Sequence, residues 1–101
     1  MRIRKAMQAD TLEWLRLRVA LWFRDSAAQL QQELEEILRE PERCETFVAE
    51  TPEGRLCGFV EVSLRKSAEG CKTEPVGYVE GWYVEPEWRG RGIGRRLVAA
   101  A

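Results

Sequence analysis

From Tyr78 to Gly94 the chain reads Tyr-Val-Glu-Gly-Trp-Tyr-Val-Glu-Pro-Glu-Trp-Arg-Gly-Arg-Gly-Ile-Gly, and this stretch leaves few ways to fold. An apolar run long enough for a strand is followed by a Pro-marked turn, a basic glycine-rich loop, and the opening of a helix near Ile93. Glycines in such a loop let bare backbone N–H groups approach a ligand. The unpaired N–H groups at the start of the helix add a partial positive charge. An anion, most often a phosphate, suits the place.

Charge supports the same reading. Residues 1–87 carry 12 basic and 17 acidic side chains, a net of −5, whereas residues 88–101 carry Arg89, Arg91, Arg95 and Arg96 and no acid. Cations in the first turn of a helix oppose its dipole by roughly 0.3–1 kcal/mol each unless an anion sits there. The asymmetry suggests two ligands, an anion at the C-terminal loop and a cation elsewhere. Nucleic acid is a poor partner for a chain whose net charge is −1 and whose basic cluster is this small.

The 101 residues suffice for one domain with a modest core. No apolar run reaches the ~20 residues of a membrane span, and no signal peptide is read, so the expected location is the cytoplasm. Cys44, Cys57 and Cys71 lack C-x-x-C spacing, and the chain has no histidine to complete a metal site. Reduced structural thiols and no metal are expected.

Taken in order, residues 1–5 suggest a short strand. Asp10-Thr-Leu-Glu13 has the form of a capping box for a helix over roughly 11–23, with Leu12, Leu15, Val19, Trp22 and Phe23 at helical spacing. Ser26-Ala-Ala-Gln29 caps a second helix, which carries Leu30, Leu34, Ile37 and Leu38 and stops at Pro41. Strands at 46–50 and 56–64 flank a Pro-Gly turn as a β-hairpin, in which Glu61 and Ser63 share the Phe59 side. A polar loop over 65–75 is long enough to carry function, and the next strand, 76–84, is apolar except for Glu80. Its Gly81 suits a bulge or a close backbone approach. Trp22 is either a core residue or a ligand platform.

Spacing separates the glycine-loop classes. The G-x-x-x-x-G-K-[ST] pattern is absent, since Arg95 follows Gly90 where the second glycine should stand and no Lys-Ser/Thr pair follows it. The G-x-G-x-x-G pattern fails at Arg95 and Leu97, where its third glycine would fall. What remains is Arg89-Gly-Arg-Gly-Ile-Gly94. Entered from a strand ending Gly-Trp-Tyr-Val-Glu-Pro, it closely resembles the coenzyme-A pyrophosphate loop of the GNAT N-acetyltransferase superfamily. Ala20-Leu-Trp22, Glu35-Glu-Ile-Leu38, Gly58-Phe59, Ser63-Leu-Arg65, Gly70-Cys71 and Val79-Glu-Gly81 extend the resemblance to bacterial aminoglycoside 6′-N-acetyltransferases.

The resemblance implies an α/β (α+β) GNAT fold, N-terminal portion only, in the order β-α-α-β-β-β-α with a mostly antiparallel sheet. It implies acetyl transfer from acetyl-CoA to a primary amine, most like the 6′-amino group of an aminoglycoside; the alternatives are a GNAT enzyme of another small amine or peptide, or a non-catalytic oligomerising or CoA-binding fragment. Trp82, Tyr83, Val84, Arg89, Gly90, Arg91, Gly92, Ile93, Gly94 and Arg95 would hold the cofactor, the N–H of Val84 or Tyr83 serving as oxyanion donor. Glu80, read as an acid inside an apolar strand, would face the amine or pair with an arginine such as Arg65. Trp22 and Glu69, with Glu74, would complete the substrate side. The last helix is short and lacks a stop signal, so the chain is expected to be an incomplete domain, with the general acid lying beyond residue 101. Alone it is expected to bind acetyl-CoA weakly and not to turn over. Its strand 76–84 would pair with another copy as a homodimer, domain-swapped or otherwise, or with a missing C-terminal segment.

Overall fold

A computed structural model describes residues 1–66 and 75–101. Glu69, Gly70, Cys71 and Glu74 fall outside the described residues, as does the side chain of Arg65. The elements are β1 (Arg2–Lys5), α1 (Thr11–Leu21), α2 (Ala27–Arg39), β2 (Cys44–Glu50), β3 (Leu56–Lys66), β4 (Pro75–Val84) and α3 (Ile93–Ala100). Their order is the one the sequence predicts, and they form a single sheet in the order β1-β2-β3-β4 with every pair antiparallel.

Strand alternation sends side chains to two faces, and each face has its own helix layer. Val48 and Phe59 meet Trp14 and Leu17 of α1 and Leu34 of α2. On the opposite face Ala49, Cys57 and Val60 pack on Ile93 and Leu97 of α3. Trp14, Leu17, Phe59 and Leu97 have no exposed surface. Truncating a buried aromatic such as Trp14 costs about 3–5 kcal/mol on the scale of such cavities. No helix among the described residues is long and apolar enough to cross a membrane.

The buried stripe of α1 differs from the predicted one. Leu12 is 84% and Phe23 73% exposed, while Trp14, Leu17 and Arg18 are buried. Apolar residues surround this helix on all sides, so spacing alone does not select a face; contacts with β3 and α2 do. The capping box at its start is also replaced. The Asp10 carboxylate accepts from the Met7 N–H (2.7 Å) and from both terminal nitrogens of Arg4 (2.8 and 2.9 Å), closing the 3-10 turn Gln8–Asp10 instead. The Arg4 guanidinium holds the Asp10 carboxyl below its usual range. Glu13 turns away to accept from Arg16 and from the Leu56 N–H at 3.2 Å. The second cap forms as the sequence predicts, with Ser26 Oγ accepting from the Gln29 N–H at 3.1 Å.

Arg16 joins α1 to the far ends of two strands. Its guanidinium donates to Glu85 just past β4 (2.6 Å), to the Leu56 carbonyl at the start of β3 (2.8 Å), and to Glu13 on its own helix (3.0 Å). The end of β4 and the first turns of α1 are thereby tied, and the segment entering the glycine loop leaves the sheet from a fixed point.

Candidate active site

The glycine loop behaves as its composition requires. Gly90 and Gly92 both have positive φ (81° and 79°), a region that costs other L-residues roughly 1–2 kcal/mol. Gly92 is the N-cap of α3 and supplies no side chain there. The first bond within α3 is Arg96 N–H to the Gly92 carbonyl (3.1 Å), which leaves the N–H groups of Ile93, Gly94 and Arg95 without a partner in the helix ladder. No acid stands in that first turn.

Beside the loop lies a cleft of about 430 Å³. Ala20 and Leu21 at the end of α1, Trp82, Tyr83 and Val84 of β4, and Trp88, Arg89, Gly90, Gly92, Ile93 and Gly94 line it. Arg91 and Arg95 do not line it; both are exposed, and Arg91 lies 4.9 Å over the Trp88 ring. The loop's arginines therefore divide. Arg89 Nε donates to the Val84 carbonyl at 2.7 Å, and its guanidinium lies 5.4 Å from the Tyr83 ring centroid.

Register decides which β4 groups face the cleft. The Glu85 N–H donates to the Cys57 carbonyl (2.8 Å), and Gly58 pairs with Val84, Phe59 with Tyr83 and Val60 with Trp82. Antiparallel alternation then turns the N–H of Tyr83 toward β3 and those of Trp82 and Val84 toward the opposite edge. Of the two oxyanion candidates, Val84 has the open N–H and Tyr83 does not. The Val84 carbonyl, by contrast, is occupied by Arg89.

On the other side of the α1 terminus is a second pocket of about 340 Å³, lined by Arg18, Trp22, Glu33, Glu36, Ile37, Glu40, Cys44, Glu61 and Glu80. Five glutamates face one arginine, so the pocket is strongly acidic. It unites the predicted Trp22 and Glu80, but with a correction. Glu80 is exposed, not buried, and accepts from the Ser63 hydroxyl. The register slips by one residue between Glu61 and Val62 of β3, opposite Glu80 and Gly81, and this bulge carries the side chain outward.

The buried acid of this pocket is Glu61, 4% exposed. Its carboxylate accepts two contacts from Arg18 Nη1 (2.6 and 2.7 Å) and one from the Trp14 indole N–H (2.9 Å). Burial pushes the Glu61 carboxyl above its usual range, against the pull of Arg18 and Trp14. Arg18 also donates to Glu33 on α2 (2.7 Å) and lies 4.7 Å from the Trp22 ring centroid. From the sequence, Arg18, Glu33, Glu36 and Glu40 take no site role, and Glu61 only its place on the Phe59 side of β3. The spacing 33, 36, 37, 40 is one face of a helix, which was the available signal for the α2 acids.

An anion-suited helix start and an acidic pocket, on two sides of one helix terminus and one strand, fit a protein that brings an anionic donor to a cationic acceptor. Residues 8–101 match the model of the acetyltransferase (GNAT) family, and the chain belongs to that family. It is 42% identical over 99 residues to an aminoglycoside N(6′)-acetyltransferase type 1 of Stenotrophomonas maltophilia, covering 97% of this chain and 63% of that protein. Among solved structures it resembles the apo aminoglycoside 6′-N-acetyltransferase AAC(6′)-IG of Acinetobacter haemolyticus. There the TM-score is 0.85 and identity 34%, with 99% of this chain and 68% of that one covered. It also resembles AAC(6′)-Iy in complex with the bisubstrate analog CoA-S-monomethyl-acetylneamine. That match has a TM-score of 0.86 and 32% identity, covering 98% of this chain and 67% of that one. The chain thus spans about two thirds of the length of the relatives it matches.

Proposed function

We propose that this site transfers an acetyl group from acetyl-CoA to a primary amine, the 6′-amino group of an aminoglycoside. The observation that carries the reading is the pairing of the two pockets. The open backbone N–H groups of α3 suit a pyrophosphate, and the acidic pocket beside them suits a polycationic amine. The names of the relatives and the CoA-bearing analog bound to AAC(6′)-Iy support it.

In this reading the N–H groups of Gly90 to Arg95 hold the pyrophosphate, and Arg89 both adds charge and braces Val84. Trp82 offers an open backbone edge along which the extended arm of the donor can pair. The amine nitrogen attacks the thioester carbonyl carbon, the new C–N bond forms, and the C–S bond breaks with the electron pair leaving on sulfur. The Val84 N–H stabilises the negative charge that develops on the carbonyl oxygen. Glu80, oriented by Ser63, binds the substrate ammonium and takes its proton directly or through a water. Trp22 supplies a flat wall for the sugar ring.

A matched pair of aminoglycosides, identical except for an amine or a hydroxyl at C6′, tests this with the full-length protein and acetyl-CoA. Release of the CoA thiol with the amine and none with the hydroxyl is expected. Equal release with both overturns the assignment of the acceptor, and release with neither overturns the reaction.

A further inference from the structure

Trp22 lines the acidic pocket, next to Leu21 of the donor cleft, and is the C-cap of α1, its N–H donating to the Arg18 carbonyl at 2.8 Å. Its own dihedrals (φ −110°, ψ 57°) are no longer helical, and its ring lies among three groups, from α1, β3 and β4. The Arg18 guanidinium lies 4.7 Å from the ring centroid, and the Phe59 ring sits 6.2 Å away, tilted by 54°. The third is the backbone of β4 at Gly81, where a Cβ would stand 2.4 Å from Cη2 and 2.7 Å from Cζ2 of the indole.

Gly81 does not have a positive φ, unlike Gly90 and Gly92, so its backbone would accept alanine. What alanine would violate is the space taken by the indole. Arg18, for its part, cannot drift, because Glu61 grips it from β3 and Glu33 from α2. We propose that Gly81 and Arg18 are positioning residues: they hold the Cζ2–Cη2 edge of the Trp22 indole against β4, one residue from Glu80, and so set how deeply an amine-bearing ring enters the acidic pocket. The inference rests on the proposed acceptor role of that pocket. A methyl group at position 81 drives the indole off the strand into the space the acceptor needs, while on the donor side it meets only Leu21 Cδ2, at an ordinary 3.5 Å.

Steady-state kinetics on the full-length protein, varying each substrate in turn, reads this directly. Gly81→Ala is expected to raise the KM for the aminoglycoside about ten- to a hundredfold, leaving the KM for acetyl-CoA unchanged. In a Trp22→Ala background the same substitution is expected to have no further effect, since it acts through the indole. Equal changes in both KM values, or an effect that persists without Trp22, overturns the inference. Arg18→Lys keeps a cation for Glu61 but loses the guanidinium 4.7 Å from the Trp22 ring, and is expected to raise the acceptor KM alone. An unchanged acceptor KM overturns Arg18's part, and this variant carries the test should Gly81→Ala fail to fold. A stability cycle between positions 22 and 81 gives a readout without turnover, and additive effects there sink the proposal. Absence of acetylation by the unsubstituted protein would instead count against the proposed function.

Discussion

The two pockets flanking the end of α1 are built in opposite ways. The cleft at the glycine loop is made almost wholly from one continuous stretch, residues 82–94, and its key groups belong to the backbone. The acidic pocket draws on α1, α2, β2, β3 and β4, and its key groups are side chains joined across long separations, such as Arg18 to Glu61 and Trp14 to Glu61. One surface is written locally and the other is assembled by the fold. The first should tolerate changes in the core and fail to changes in the loop, and the second should do the reverse.

Three measurements bear on that contrast. Arg18→Ala should have the largest effect, because it leaves Glu61 buried without its cation. A loss of about 3–5 kcal/mol by denaturant titration is expected, with much of it recovered in Arg18→Met/Glu61→Gln, where the charge to be compensated is gone. A loss under about 1 kcal/mol would mean that the pocket is not held by this pair. Gly92→Ala comes next. Forcing a side chain to φ 79° should cost about 1–2 kcal/mol at the loop, weakening CoA by about tenfold in calorimetry while leaving aminoglycoside affinity unchanged. A parallel loss on both ligands would dissolve the local-versus-assembled distinction.

The smallest effect belongs to Asp10, remote from both pockets. Arg4 depresses its folded-state pKa, so its contribution is fully present above the unfolded value of about 3.9 and is lost as pH falls through the lower folded value. Asp10→Asn should therefore flatten the acid limb of a stability-versus-pH curve and cost about 1 kcal/mol or less at neutral pH. A variant that keeps the same acid limb would assign it to other carboxylates.

The same contrast explains what could be read from the sequence. The strand, loop and helix from Tyr78 to Gly94 were legible because their signals are local: an apolar run, Pro86, and glycines at fixed spacing. The order of all seven elements followed, as did the Ser26 cap and the bulge and close approach at Gly81. The acidic pocket was half legible. Trp22 and Glu80 were singled out, yet the expectation of a buried acid fell on Glu80 when Glu61, one strand away, is the buried one. Strand alternation had already put Glu61 on the Phe59 side, but not that Trp14 and Arg18 would meet it there. That depends on which face α1 turns inward, and a helix with Leu12, Trp14, Leu15, Leu17, Val19 and Leu21 around its circumference does not announce it. The Asp10 capping signature misled for a related reason, since a tertiary partner, Arg4, outcompeted the local geometry.

Arg16 has a further consequence. By fastening Glu85, Leu56 and Glu13 together, it makes α1 and the end of β4 parts of one rigid frame. The wall dividing the two pockets, Ala20 to Trp22 on one element and Glu80 to Val84 on the other, belongs to that frame. The span between the pockets is therefore a gauge cut during folding, and a ligand entering either side meets a distance it did not set.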